Sequence, residues 1–302
     1  MDAGDRGVAG DAGLGPGGGL FEFVRRHPRL FVLTGAGCST ASGIPDYRDE
    51  TGAWKHRPPL LYAEFVGSAS ARRRYWARAF VGWRRIANAR PNAAHRAMAA
   101  LEASGSVGCL VTQNVDGLHQ RAGARNVIDL HGRLDRVICI ACGASLSRDD
   151  VQSLLAAWNP AFADLAAGEA PDGDARLEGP FDEFRVPECP ACGGVLKPDV
   201  VFFGENVPRP RVKAAEAALQ AADAMLVVGS SLMVFSGYRF ATAARRLGKP
   251  VAAVNRGRTR ADDLLALKVE DDCGAALQAL LERLDAGRGR TTGPAAAQQV
   301  SR

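Results

Sequence analysis

The sequence predicts an α/β fold: a doubly wound parallel sheet interrupted by a small cysteine-bearing insertion. Three observations predict it. Short apolar runs alternate with helical periodicity along most of the chain, the pattern of strand–helix–strand units whose crossovers demand a parallel sheet. The first run ends in a glycine turn, Gly35-Ala36-Gly37, where such sheets bind ligands. Two Cys-x-x-Cys pairs, at Cys139/Cys142 and Cys189/Cys192, break the alternation.

Taken in order, residues 1–19 are glycine-rich with scattered acids and lack the apolar block of a signal peptide, so they read as a disordered tail. The run at 30–34 is short and apolar, as a buried parallel strand is. A mostly helical insertion follows at about 49–91, periodic over 70–89, and then a helix at 92–104. Strands at 109–112 and 126–130 lead into a second insertion, which holds the four cysteines and a Gly/Pro/Asp-rich loop at 167–180. Beyond it come a helix at 209–222, a strand at 224–229, a helix at 238–247 and a strand at 250–255. A weaker strand at 267–270 and a helix at 273–284 complete the pattern, and 286–302 reads as a second disordered tail. Residues 20–132 and 197–285 therefore form the sheet domain, and 133–196 a small metal-binding domain.

A chain of 302 residues, 47% apolar and 24% charged, can bury a full core and a second module. Only five of its 38 basic residues are lysines, and the arginine clusters at 72–74, 84–85 and 256–260 read as solvated faces. No aromatic-interleaved basic stripe calls for a specific nucleic acid, and no apolar run is long enough for a membrane span. A cytoplasmic monomer is expected.

Each Cys-x-x-Cys pair is followed by glycine, at Gly143 and Gly193-Gly194. That spacing lets one tight turn present two thiolates, and two such turns complete a tetrahedral zinc set. Four thiolates leave no position for water, so the expected metal is structural, holding a small module that lacks a sizeable core.

The glycine turn continues as Cys38-Ser-Thr-Ala-Ser-Gly43-Ile44-Pro-Asp46-Tyr47-Arg48. A strand ending in such a turn sets bare backbone N–H groups against phosphates. The third glycine comes three residues too late for the Gly-x-Gly-x-x-Gly of ordinary dinucleotide dehydrogenases, so the segment reads as a dinucleotide site of unusual use. Gln113, Asn114 and Asp116 close the next strand, and His131 closes the one after. Asn114 and Asp116 can hydrogen-bond an amide or sugar hydroxyls, and His131 is placed to act as a base near neutral pH. His27, His56 and His95 read as ordinary core or surface residues, and His119 stands between the two readings. Gly229-Ser230-Ser231 and Asn255 repeat the pattern of strand end and polar loop and suit ribose and adenine contacts. The apolar segment 197–205 reads as a core strand or as an edge that adds an extended peptide.

Taken together, GAGCSTASGIPDYR, TQNVDGLH, the LHG around His131, both CxxC pairs, KPDVVFFGE, GSSL and the asparagine of VNRG resemble the sirtuins in order and spacing. RYWARAFVGW, PDGDARL and SGYRF resemble the class II branch. The resemblance implies a Rossmann-like domain and a small zinc domain, with NAD and an acyl-lysine peptide meeting between them. It implies an NAD-dependent protein-lysine deacylase that releases nicotinamide, O-acyl-ADP-ribose and free lysine. Nicotinamide would sit near Ile44, Asp46, Asn114 and Asp116. Gly35, Ala36, Gly37, Tyr47 and Arg48 would belong to the cofactor loop. Gln113 would meet the ribose, Gly229, Ser230 and Ser231 the phosphates or adjoining ribose, and Asn255 and Cys273 the adenosine. His131 would be the base on a ribose hydroxyl. Val201, Phe202, Gly204 and Glu205 would flank the peptide. Cys38 replaces an isoleucine frequent in the family. The Tyr-x-x-Arg pair that grips acyl carboxylates in one branch would fall at Ala79 and Gly82, while Tyr75 and Arg78 have that spacing one turn earlier. The acyl preference is therefore open. The alternative is a mono-ADP-ribosyltransferase, which shares nicotinamide cleavage. A hydride-transferring dehydrogenase and a non-catalytic zinc ribbon fit fewer of these residues.

Overall fold

The computed structural model describes residues 18–55, 59–163, 165, 168–169 and 171–289. The chain runs through α1 (Gly18–Arg26), β1 (Leu30–Thr34), α2 (Tyr62–Gly67), α3 (Ala69–Asn88), α4 (Ala93–Ala103), β2 (Val107–Thr112) and α5 (Leu118–Arg121). It continues through β3 (Val127–Asp129), β4 (Gly132–Cys139), β5 (Ser145–Ser147), α6 (Arg148–Trp158), β6 (Gly168–Glu169), β7 (Ala175–Arg176) and β8 (Leu196–Val200). The last elements are α7 (Arg209–Ala221), β9 (Ala224–Val228), α8 (Phe235–Arg246), β10 (Val251–Val254), β11 (Leu267–Val269) and α9 (Cys273–Gly289).

Six strands form a parallel sheet in the order β11-β10-β9-β1-β2-β3. Successive side chains of a strand point to opposite faces, so a strand covered on both sides must be apolar throughout. β1 obeys this. Leu30 and Val32 join the core under α1, α4 and α9, and Phe31 and Leu33 join the core under α7 and α8. The expected doubly wound parallel sheet is the one observed. Helix starts are locally encoded: Asn92 accepts the backbone N–H groups of Ala94 and His95 at 2.9 and 3.3 Å, and Ser68 and Ser147 cap α3 and α6 in the same manner.

A second, antiparallel sheet, β5-β4-β8, carries the cysteine pairs. The expectation that this module lacks a sizeable core is wrong. Trp76, Phe80 and Trp83, at helical spacing on α3, bury themselves with Val137, Leu155 and Phe184. The helical insertion and the cysteine module are thus two halves of one core. α3 also admits a close neighbour at Gly82, where a Cβ would lie 2.0 Å from Gly173 O.

Other differences from the sequence reading are local. α1 starts at Gly18, inside the stretch read as tail, because Leu20, Phe23 and Val24 give it a buried stripe. α6 is unanticipated, since only Val151 and Leu155 mark its buried apolar face. α8 begins ahead of the expected 238, and α9 runs past 284. The rest of both expected tails, and His56, lie outside the described residues. Among the described residues, no helix is long and apolar enough to cross a membrane.

Candidate active site

β1 stands where the chain reverses its progress across the sheet, with β2 and β3 on one side and β9, β10 and β11 on the other. At such a point the loops leaving adjacent strands part and open a crevice. The loops after β1 and β9 meet there: Gly35 N–H donates to Val228 O at 3.1 Å and Gly37 N–H to Gly229 O at 2.9 Å. A Cβ on Gly35 would lie 2.7 Å from Ser230 Cβ, and one on Gly37 would lie 3.0 Å from Gly229 O. Close approach, not turn geometry, requires glycine at both, and their N–H groups are not the bare phosphate donors the turn suggested, because the carbonyls of Val228 and Gly229 already take them. Ala36 opens the 3₁₀ turn Ala36–Cys38 beside them.

A polar net closes the end of β2. Asn114 Nδ2 donates to Gly35 O at 3.0 Å and to Ser39 Oγ at 2.9 Å. The Ser39 hydroxyl donates to Asp116 Oδ2 at 2.7 Å, and Asp116 Oδ1 accepts Leu118 N–H at 2.8 Å. Burial raises the Asp116 pKa, against the bonds from Leu118 and Ser39 and the charges of Arg121 and Arg133, which lower it. The net therefore holds a carboxylate whose charge costs free energy unless donors reach it.

His131, at the end of β3, has partners on both ring nitrogens: Gln113 O lies 2.9 Å from Nδ1 and Ser236 Oγ 2.8 Å from Nε2. A carbonyl only accepts, so Nδ1 carries the proton and Nε2 keeps its lone pair. Burial lowers the His131 pKa to about 4, opposed by the Gln113 carbonyl and aided by Arg211. The ring is neutral at pH 7 and able to take a proton. Gln113 also donates from Nε2 to Ser230 Oγ at 2.7 Å, tying the β2 end to the β9 loop.

Behind this net lie Cys38, His95 and His119, all buried, each offering a ligand atom within 4.8 Å of the others. Burial holds His95 at a pKa of about 4 and His119 at about 3. His119 Nε2 lies 2.9 Å from Thr34 Oγ1, while both nitrogens of His95 are engaged, by Asn92 N–H and Ser39 Oγ. The group is a packed back wall. His95 thus matches the core role expected for it. His27 is half-buried, with Phe23 O 2.7 Å from its Nδ1 at the end of α1.

The remaining expected residues fall into separate groups. Ile44 is buried against the second core. Asp46 pairs with Lys55 at 2.7 Å, and Arg48 donates to Gly52 O at 2.7 Å with its guanidinium 4.0 Å from the centre of the Trp54 ring. Both make these contacts within their own loop. Tyr47, Trp54 and Phe203 form a triangle of edge-on rings. Ser231 O accepts Arg260 N–H at 2.8 Å, and Asn255 Nδ2 donates to Arg256 O at 2.7 Å. Cys273 is buried with its thiol 3.8 Å from Val254 O, and burial pushes its pKa up to about 12. That thiol is no nucleophile.

The segment after β8 adjoins the site directly. Val201 N–H donates to His131 O at 2.8 Å, and Phe203 O accepts Tyr62 N–H at 2.9 Å. Phe202 packs against Phe65 and Tyr75. Gly204 has φ +80°, and Glu205 accepts Phe202 N–H at 2.8 Å and buried Lys197 Nζ at 3.1 Å. Of the two alternatives for acyl-carboxylate recognition, Arg78 is engaged by Asp174 at 2.5 Å and by Ala175 O at 2.9 Å.

The four cysteines Cys139, Cys142, Cys189 and Cys192 converge, with all Sγ atoms within 4.8 Å of one another. Cys139 and Cys192 are 3.6 Å apart, and Cys142 and Cys189 are 3.8 Å apart. A tetrahedron with metal–sulfur bonds of about 2.3 Å has edges of about 3.8 Å, so the donor set fits zinc. Gly143 and Gly193 take φ of +76° and +70° in the two turns, and a Cβ on Gly194 would lie 2.9 Å from Cys139 Sγ.

Ser39, Ser236 and Lys197 are site neighbours that lie inside stretches quoted above, GAGCSTASGIPDYR, SGYRF and KPDVVFFGE, but no role was expected of them. The motifs mark the stretches; only the folded contacts, such as Ser236 Oγ to His131 Nε2, give the three side chains their partners.

Residues 35–236 match the Sir2 family model. An NAD-dependent protein deacetylase of Xanthomonas campestris pv. campestris (strain 8004) is 63% identical over 270 residues, covering 89% of this chain and 92% of the relative. NAD-dependent protein deacetylase 2 of Bradyrhizobium diazoefficiens is 62% identical over 263 residues, covering 87% and 96%. A solved complex of Sir2 with a p53 peptide and NAD+ superposes with a TM-score of 0.71 at 29% identity, covering 89% of this chain and 98% of that one. With the switch-point crevice, the buried imidazole and the four-thiolate centre in place, these matches establish that the chain belongs to the Sir2, or sirtuin, family.

Proposed function

We propose that this protein removes acyl groups from protein lysines at the expense of NAD, releasing nicotinamide, O-acyl-ADP-ribose and the free lysine. One observation carries the reading: a neutral imidazole with a lone pair on Nε2 closes the strand beside the one that ends in the Ser39–Asn114–Asp116 net. The third glycine, Gly43, stands three residues beyond its place in the loop of hydride-transferring dehydrogenases. The match to relatives named NAD-dependent protein deacetylases supports it.

When bound, NAD supplies a ribosyl carbon bearing a leaving group, to which an acyl oxygen can add. The residues present fit it. Beside the meeting of the β1 and β9 loops, Ala36, Ser230 and Ser231 would take the diphosphate, the Gly35 and Gly37 N–H groups being held by Val228 O and Gly229 O, and Gln113 would meet the ribose. Asn255 and Cys273 lie at the adenosine end. Asn114 and Asp116, with Ile44 and Asp46, hold the carboxamide of nicotinamide, and the Ser39 hydroxyl fixes the Asp116 carboxylate. Tyr47 and Arg48 shape the loop that covers them. After nicotinamide leaves, His131 Nε2 takes the proton of a ribosyl hydroxyl and frees that oxygen for acyl migration. Val201, Phe202, Gly204 and Glu205 flank the extended peptide, braced by Lys197. Zinc on the four thiolates offers no open position and acts only on structure. The class II likeness belongs to the same reading, as does a cytoplasmic monomer, since thiolates that hold zinc suit a reducing compartment.

A mass-spectrometric panel tests this. Purified protein and His131→Ala are given NAD and lysine peptides bearing acetyl, succinyl, lipoyl and longer acyl groups. Loss of one acyl group with a matched O-acyl-ADP-ribose, abolished in the variant, is the expected result. ADP-ribose added to protein with every acyl group intact would overturn it in favour of a transferase.

A further inference from the structure

His131 gains its second hydrogen bond from a helix that no sequence motif tied to it. α8 begins at Phe235, so Ser236 and Gly237 lie in its first turn. A Cβ on Gly237 would stand 2.4 Å from Gln113 Oε1. Glycine lets this turn rest on the side-chain amide of Gln113, and that approach brings Ser236 Oγ to 2.8 Å from His131 Nε2. Nδ1–H is already committed to the Gln113 carbonyl at 2.9 Å. The Ser236 hydroxyl is therefore the donor and the Nε2 lone pair the acceptor. A buried lone pair left without a donor is costly, and a ring held at one nitrogen can turn about its bond to Cβ.

We propose that Ser236 is a positioning residue for the base of the deacylation reaction, locking the His131 ring and its tautomer until NAD binds. The proposal rests on the reading of His131 given above. Nε2 has one lone pair, so Ser236 and a ribosyl hydroxyl hold it in turn. The ribosyl hydroxyl displaces the serine donor and then passes its proton to Nε2. The ring becomes an imidazolium whose Nδ1–H stays on Gln113 O. No bond to Ser236 is made or broken beyond that hydrogen bond. Locking one side-chain rotor in advance is worth about three- to tenfold in rate.

Ser236→Ala and Ser236→Thr are compared with the unaltered protein in three measurements. Ring ¹⁵N shifts at neutral pH read the tautomer and the Nε2 bond without any substrate. Exchange of labelled nicotinamide into NAD in the presence of acyl peptide reads bond cleavage, and single-turnover formation of O-acyl-ADP-ribose reads the step that needs the base. In Ser236→Ala, Nε2 should move downfield toward the position of an unbonded lone pair. Acyl transfer should fall about three- to tenfold while nicotinamide exchange stays unchanged. Ser236→Thr, which keeps the hydroxyl, should restore both the shift and the rate. Unaltered ¹⁵N shifts and rates in Ser236→Ala would overturn the proposal. So would an equal loss of exchange and acyl transfer in both variants, which marks packing alone. Failure of the unaltered protein to deacylate any peptide would instead sink the reading of the reaction, while the ring shifts would still report whether Ser236 holds His131.

Discussion

A carbonyl cannot donate, so Gln113 O decides which nitrogen of His131 bears the proton, and burial decides that the other stays unprotonated. The pH dependence follows. A base works in its deprotonated form, and burial has lowered this pKa from 6.5 to about 4. The active fraction is lost only as pH falls through about 4, whereas an ordinary histidine would be roughly nine-tenths protonated at pH 5.5. Asp116 titrates as well, and burial raises its pKa, so an internal reference is needed. In the proposed mechanism nicotinamide exchange calls on Asp116 and not on His131. We expect the ratio of acyl-transfer rate to exchange rate to change by less than about twofold between pH 7.5 and 5.5. A tenfold drop in that ratio would show that the imidazole titrates as if exposed. This site was partly legible in the sequence. His131, Gln113, Asn114 and Asp116 stood out because strand ends mark a site in any doubly wound sheet, and the fold brings them together. Ser39 and Ser236 did not, because a serine says nothing of its partner until the chain has folded; Ser236 meets His131 across 105 positions.

Elements were legible where burial left a period to read. β1, β9 and β10 are covered on both faces and announced themselves as apolar runs. α6 is amphipathic on only two buried apolar anchors and stayed hidden. The least legible feature is how α3 meets the segment around β7. Gly82 sits mid-helix, where glycine costs about 1 kcal/mol relative to alanine. By propensity alone, Gly82→Ala should stabilise. The contact says otherwise: a Cβ would lie 2.0 Å from Gly173 O and 2.7 Å from its carbonyl carbon. Those are backbone atoms of a turn tied to α3 by Arg78, which bonds Asp174 and Ala175 O. Overpacking of this kind costs about 1–3 kcal/mol and exceeds the propensity gain. We expect Gly82→Ala to lower stability by about 1–2 kcal/mol in urea, with faster hydrogen exchange confined to residues 171–177. Increased stability would mean that the turn moves aside freely.

At the scale of the whole molecule, the two sheets share the site between them. β3 ends just before His131, β4 begins just after it, and β4 pairs with β8, which runs on into the segment proposed to flank the peptide. The four thiolates sit at the far end of that same pair: Cys139 ends β4, and Cys192 lies just before β8. Structural zinc can supply ~10–16 kcal/mol to a module with no core of its own. This module has one, built with α3 around Trp76, Phe80 and Phe184. Zinc loss should therefore loosen part of the molecule rather than unfold all of it. On chelation we expect amide exchange to rise in β4, β5 and β8 while β1, β9 and β10 stay protected. Deacylation should fall in parallel, because Val201 N–H loses its fixed partner at His131 O. Nicotinamide exchange should fall with it, since that step also needs the peptide strand in place. Re-addition of zinc should restore all three together. Chelation that removes the metal yet leaves exchange protection and turnover unchanged would show that the aromatic core alone holds the peptide strand against the base.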